Sequence, residues 1–181
     1  ATRADASECR FFLPDPWTFS EPAYPPPLED LLALPRYYAR NYLEPEWARM
    51  SAAALRLCRY ALGSGALLRL LACLPLALRG VLRNGVDNAV AFSLFDLVST
   101  VLFQARRRRD APQFSLIFLN SIAHLQHHRW REGERLGSDL RFGLRVIDHV
   151  LHILFEGRTD GEALVVANAL TQEKVSGGRP L

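Results

Sequence analysis

Phe114-Ser115-Leu116-Ile117-Phe118-Leu119 is a short, nearly all-apolar run that stops abruptly at the polar pair Asn120-Ser121. Its length and composition suit a buried β-strand. The switch to small polar residues marks that strand's carboxyl end, the place where open α/β sheets put their ligands. Three of the five histidines, His124, His127 and His128, follow within five positions. Neutral imidazole is a common metal ligand and a ready acid or base near neutral pH. The stretch therefore nominates a site. The blander alternative is a helix after the strand whose histidines pack or face water.

The following residues extend the same grammar. A helix is expected over 139–155, with Leu140, Leu144, Ile147, Leu151 and Leu154 at helical spacing and His149 and His152 off the inner face. Gly157 closes it, and Ala163-Leu164-Val165-Val166-Ala167 reads as a second strand ending at Asn168. A β-α-β unit with short loops favours parallel strands and a right-handed crossover. Asn120 and Asn168 would then lie at one edge of one sheet. The expected class is α/β: part of a mostly parallel sheet with flanking helices, plus a helical cap or insertion, belonging to a larger domain.

Three segments are expected. Residues 1–45 form a proline-rich connecting segment, with Pro14, Pro16, Pro22, Pro25, Pro26, Pro27, Pro35 and Pro45. Proline fixes φ and lacks a donor, so turns and short helices should be laid over a surface here. Within it, 9–13 reads as a short strand and 28–42 as a helix. Asp15 and Thr18 are better explained as turn and capping residues than as metal ligand and nucleophile. Residues 46–111 read as a helical cap: helices over 47–62, 66–83 and 87–104, the last with Phe92, Phe95, Val98 and Leu102 inward, separated by Gly63-Ser64-Gly65 and Asn84-Gly85. Residues 112–181 hold the β-α-β portion. The apolar stretch 66–78 falls short of the roughly 20 residues a bilayer crossing needs, and Arg69 and Pro75 interrupt it. A buried hairpin is the expectation, with peripheral membrane contact as an alternative, since its arginines can snorkel to headgroups.

A net charge of +3 is too mild to argue for nucleic acid. The run Arg106-Arg107-Arg108-Arg109 has no aromatic neighbours or further basic stripe. It reads as the solvated, dipole-opposing end of a helix. Cys9, Cys58 and Cys73 form no C-x-x-C pair, and an odd count suits free thiols in a reducing, cytoplasmic compartment. A start without methionine or signal core suggests a fragment.

The order of motifs resembles the second half of the alkaline phosphatase superfamily, especially its type I phosphodiesterase/nucleotide pyrophosphatase-like branch. There a buried strand ends in Asp-x-x-x-His-x-x-Trp, a helix carries Val/Ile-Asp, and a last strand ends in Ser-Asp-His-Gly. His127-His128-Arg129-Trp130 matches the first element, Val146-Ile147-Asp148 the second, and Val165-Val166-Ala167-Asn168 stands in the place of the third. The resemblance covers about residues 112–172. The metal motifs are degenerate. In the register fixed by Trp130 the aspartate falls on Ala123; in the other register Asn120 and His124 keep the spacing. Asn168 and Ala169 replace the last Asp and His.

The resemblance implies a portion of a metal-dependent ester hydrolase, phosphodiesterase/phosphatase-like or sulfatase-like. His124, His127 and His128 would be metal ligands, zinc or manganese the cofactor, and Asn120 and Asn168 the substrate-binding groups. It also implies a nucleophile outside these residues and a small-molecule or glycan- or lipid-linked anionic ester as substrate. Two alternatives stand beside it: a catalytically degenerate relative that binds an anionic ligand, and a helical interaction or membrane-peripheral module with structural histidines.

Overall fold

The computed structural model describes residues 8–41, 46–85, 88–129 and 137–167. The architecture is helical. A 3-10 turn, Pro26–Leu28, leads into α1 (Glu29–Asn41), followed by α2 (Trp47–Gly63), α3 (Leu67–Asn84), α4 (Asn88–Asp110), α5 (Ser121–Arg129) and α6 (Ser138–Glu156). The helix periodicities set α1, α2, α3 and α6 to within a few residues; α5 realises the alternative reading of the histidine segment, and α4 continues past its expected end. That helix runs to Asp110 because Arg106 and Asp110, one turn apart, form an ion pair. Helix α3 continues through Pro75 without a break. Gly85 closes it at φ 76°, its N–H reaching the Val81 carbonyl.

One core joins the three segments. Ala23, Leu28, Leu31 and Leu32 belong to it, as do Val90, Leu97, Val101 and Leu102 of α4 and Phe142, Val146, Val150, Ile153 and Leu154 of α6. Helix α4 packs along α6, and α5 lies against both. Two glycines make these approaches close enough. A Cβ on Gly80 of α3 would sit 2.3 Å from the Phe142 ring, and one on Gly143 of α6 would sit 2.2 Å from Leu125 of α5. Both are buried, so a flat patch of helix backbone receives a large side chain at each crossing.

The α/β expectation is overturned. Helix makes up 69% of the described residues, and among them the β pairing is one isolated antiparallel bridge, Phe12–Tyr24. The two expected strands, 114–119 and 163–167, have no regular secondary structure and carry no ladder among the described residues. Among the described residues the β-α-β unit is therefore absent, and α2–α4 contribute to the core in place of capping a sheet. The reason is physical: a strand exists through its neighbours' backbone groups, whereas a helix satisfies its own. Ile117, Leu119 and Leu164 pack against the core, while Phe114, Leu116, Phe118, Val165 and Val166 stay exposed.

The proline-rich segment lies over α1 as its composition suggests. Arg36 of α1 donates to the Glu29 carboxylate at 2.9 Å and to the carbonyls of Thr18 and Glu21, and Glu29 accepts the Ala23 N–H. Asp15 is an Asx-turn residue: its Oδ1 accepts the Trp17 N–H at 2.7 Å.

Candidate functional site

The histidine segment begins where α5 begins, and α4 sets its position. Ser93, Asp96, Thr100 and Gln104 recur at intervals of three and four along α4, and each is at most 4% exposed. Buried polar groups on a helix need partners. Asp96 Oδ2 accepts the Ser121 N–H at 2.9 Å, so a carboxylate from one helix caps the first turn of another. Burial pushes the Asp96 acid up from its usual range, and hydrogen bonds from Ser121 and the Asn120 backbone oppose that shift. Thr100 bonds back to the Asp96 carbonyl at 2.8 Å.

The other end of this polar spine caps α6. Gln104 Nε2 reaches the Ile153 carbonyl at 3.5 Å, and Arg107 donates to Gln104 Oε1 at 2.8 Å and to the Gly157 carbonyl. Arg107 also pairs with Glu162 at 2.6 Å. That hydrogen bond, with the Thr159 N–H beside it, lowers the Glu162 pKa to about 2. Two of the four consecutive arginines, Arg106 and Arg107, therefore have mostly buried side chains tied to specific partners. Arg108 and Arg109 alone are exposed, so the solvated reading of the run holds for half of it.

His124 is half-buried. Its ring lies flat on Phe92 of α4, centroids 3.9 Å apart and planes 4° from parallel, and Tyr38 of α1 meets the same Phe92 edge-on at 6.4 Å. His124 Nε2 is 3.3 Å from Asn120 Nδ2. For Nε2 to accept that amide proton the imidazole must be neutral, with its own hydrogen on Nδ1. The structure thus brings two nominated residues, Asn120 and His124, into contact, as partners of each other. His127 and His128 lie three and four positions further along α5, and their side chains fall outside the described residues, as does Asn168. The expected sheet edge joining Asn120 to Asn168 falls partly outside the described residues, and among those described there is no sheet. Among the described residues no three histidine, cysteine or acidic side chains gather as a metal-holding group.

Of the remaining histidines, His152 faces solvent beside Glu156 at 3.2 Å, as expected. His149 does not stand clear of the inner face: its Nε2 is 3.8 Å from Cys73 Sγ of α3. Burial raises the Cys73 pKa, which keeps that thiol protonated and poorly nucleophilic. An open cleft of about 750 Å³ lies away from the histidines, lined by Glu8, Cys9, Arg10, Tyr24, Arg106, Arg109 and Asp110 among others. Its cations and carboxylates largely neutralise each other.

Sequence reasoning missed most of the buried face of α4. Of the four residues assigned inward, Leu102 is buried while Phe92, Phe95 and Val98 are half-buried, and the other inward positions include Val90, Ser93, Asp96, Leu97, Thr100, Val101 and Gln104. The available signal was a polar stripe at helical spacing interleaved with Leu97 and Val101.

No family model, curated protein or solved structure matches this chain. The likeness to the alkaline phosphatase superfamily rests on its quoted motifs alone.

Proposed function

We propose that this chain is a helical interaction module whose working surface is the leucine face of α3. One observation carries the reading. Leu68, Leu71, Leu74, Leu78 and Leu82 repeat at intervals of three and four, and each is 46–83% exposed. The opposite side of the helix, through Cys73 and Gly80, is buried. A contiguous exposed apolar stripe on a folded domain marks a surface that is covered in use. Scattered single leucines would not support this, but five on one face do. The hydrolase reading drew its geometry from a sheet edge that the helical fold does not have, and it is not carried forward.

Replacing two of these residues, Leu71→Gln with Leu78→Gln, tests the reading. Exposed positions outside the core change stability by roughly 0.5 kcal/mol or less each. The melting temperature should therefore stay within about 2 °C of the unsubstituted chain, while binding of a hydrophobic reporter dye such as anilinonaphthalene sulfonate falls. A melting temperature lower by more than about 5 °C would mean that the leucines hold the fold together, and the reading would fail.

A further inference from the structure

Resting on that reading, we infer that the partner of the α3 face is an anionic lipid surface. The first support is charge. From residue 47 to residue 85 the chain has six arginines and no aspartate or glutamate, although the whole chain carries 19 acidic residues; Arg49 pairs with Glu46 just before this stretch, which leaves Arg56, Arg59, Arg69, Arg79 and Arg83. Arg79 and Arg83 are exposed on α3 next to Leu78 and Leu82. On α2, Arg56 and Arg59 are exposed between the exposed Leu55 and Leu62. Apolar side chains flanked by cations, on a helix too short and too charged to cross, are the pattern of a helix lying in the headgroup boundary. No described helix is long and apolar enough to span a membrane.

The basic surface continues beyond α3. Burial, and then Arg69 and Arg107, lower the pKa of Arg108 on α4, while Glu156 of α6 opposes the shift. Crowded guanidinium groups are relieved by a phosphate-bearing surface.

The same charges argue against a second copy. The charged residues of α3 are Arg69, Arg79 and Arg83, with no acid among them, so two α3 faces brought together would offer these arginines no opposite charge. The stripe from Leu68 to Leu82 is about 21 Å long, and no aromatic residue lies between 61 and 85 to act as a protein-interface anchor. A lipid surface needs no such anchor. Leucine stems enter the acyl boundary while arginine heads stay among the phosphates.

The test is co-flotation of the full chain with phosphatidylcholine vesicles, and with vesicles of equal phosphatidylcholine and phosphatidylglycerol. Binding should require phosphatidylglycerol and weaken with salt. Arg79→Gln with Arg83→Gln should weaken it about thirtyfold, at roughly 1 kcal/mol per arginine near the surface. Leu71→Gln with Leu78→Gln should abolish it. Equal binding to neutral vesicles, or full binding by the arginine variant, would overturn the inference. So would self-association in sedimentation that the leucine substitutions remove, since a second copy would then be the occupant. Absence of vesicle binding by a chain whose leucine variants lose dye binding at unchanged melting temperature would overturn the lipid partner and leave the interaction surface standing. Leucine variants that unfold would sink both.

Discussion

Asp96 shows at the scale of one residue how a buried carboxylate positions a helix. Its charge is disfavoured by burial and held by the amides that open α5. Because the folded pKa is raised, the native state binds more protons than the unfolded chain between the two pKa values. The contribution of this group is therefore fully present below the unfolded pKa and is lost as pH rises through the folded one. Asp96→Asn keeps an acceptor for the Ser121 N–H and removes the titration. Its melting temperature should be level with or above that of the unsubstituted chain at neutral pH, with a flatter pH profile. Asp96→Ala leaves the amide unpaired and should cost about 1–3 kcal/mol in denaturant unfolding. Equal stability of the two variants would remove the capping role.

Gly80 gives a second test at this scale. A methyl there meets the Phe142 ring at 2.3 Å. Overpacking of this kind costs about 1–3 kcal/mol, against a gain of about 1 kcal/mol in helix propensity. Gly80→Ala should destabilise, and Phe142→Leu in the same chain should recover part of the loss. Additive losses in the double variant would show that the two positions are not in contact.

At the scale of elements, the end of α6 is held by α4 through Gln104 and Arg107. A cation at a helix carboxyl terminus opposes the dipole. Arg107→Ala should cost about 1–2 kcal/mol by removing both the charge and the hydrogen bond to the Gly157 carbonyl. Glu162, depressed from 4.5 to about 2 by Arg107, contributes above pH 4.5, and its contribution is lost as pH falls through about 2. Glu162→Gln should flatten the stability profile across that acid window, read as melting temperature against pH. An unchanged acid slope would mean that the pair contributes nothing in solution.

The elements also divide by how legible they were. The helices could be read from sequence because hydrophobic periodicity and local hydrogen bonding are both local properties. Gly63-Ser64-Gly65 and Asn84-Gly85 punctuate the chain where helices end. Phe114–Leu119 could not be read the same way. An apolar run of that length suits a strand, but pairing depends on residues far away in the chain. In the structure Ile117 and Leu119 cover the core while Phe114, Leu116 and Phe118 remain outside. The nominated site was legible in part: Asn120 and His124 do meet. His124 also stacks on Phe92.

At the scale of the molecule, residues from 23 to 154 share one core. The three tryptophans, Trp17, Trp47 and Trp130, are spread along the chain. Helix loss followed by circular dichroism and tertiary loss followed by tryptophan fluorescence should coincide in a single transition. Separate transitions would mean that the segments fold as independent units.

The sequence by itself determined where α1, α2, α3 and α6 lie and where they stop, and that residues 47–85 are basic and rich in leucine, because propensity, periodicity and charge belong to the chain. The tertiary structure alone decided which side of each helix is inside. It buried Ser93, Asp96, Thr100 and Gln104 on α4, where they cap neighbouring helices, and left five leucines of α3 outside. It also left the apolar run before α5 without a strand partner among the described residues. Burial and pairing are relations between distant segments, and no local pattern encodes a neighbour that the chain has not yet brought into contact.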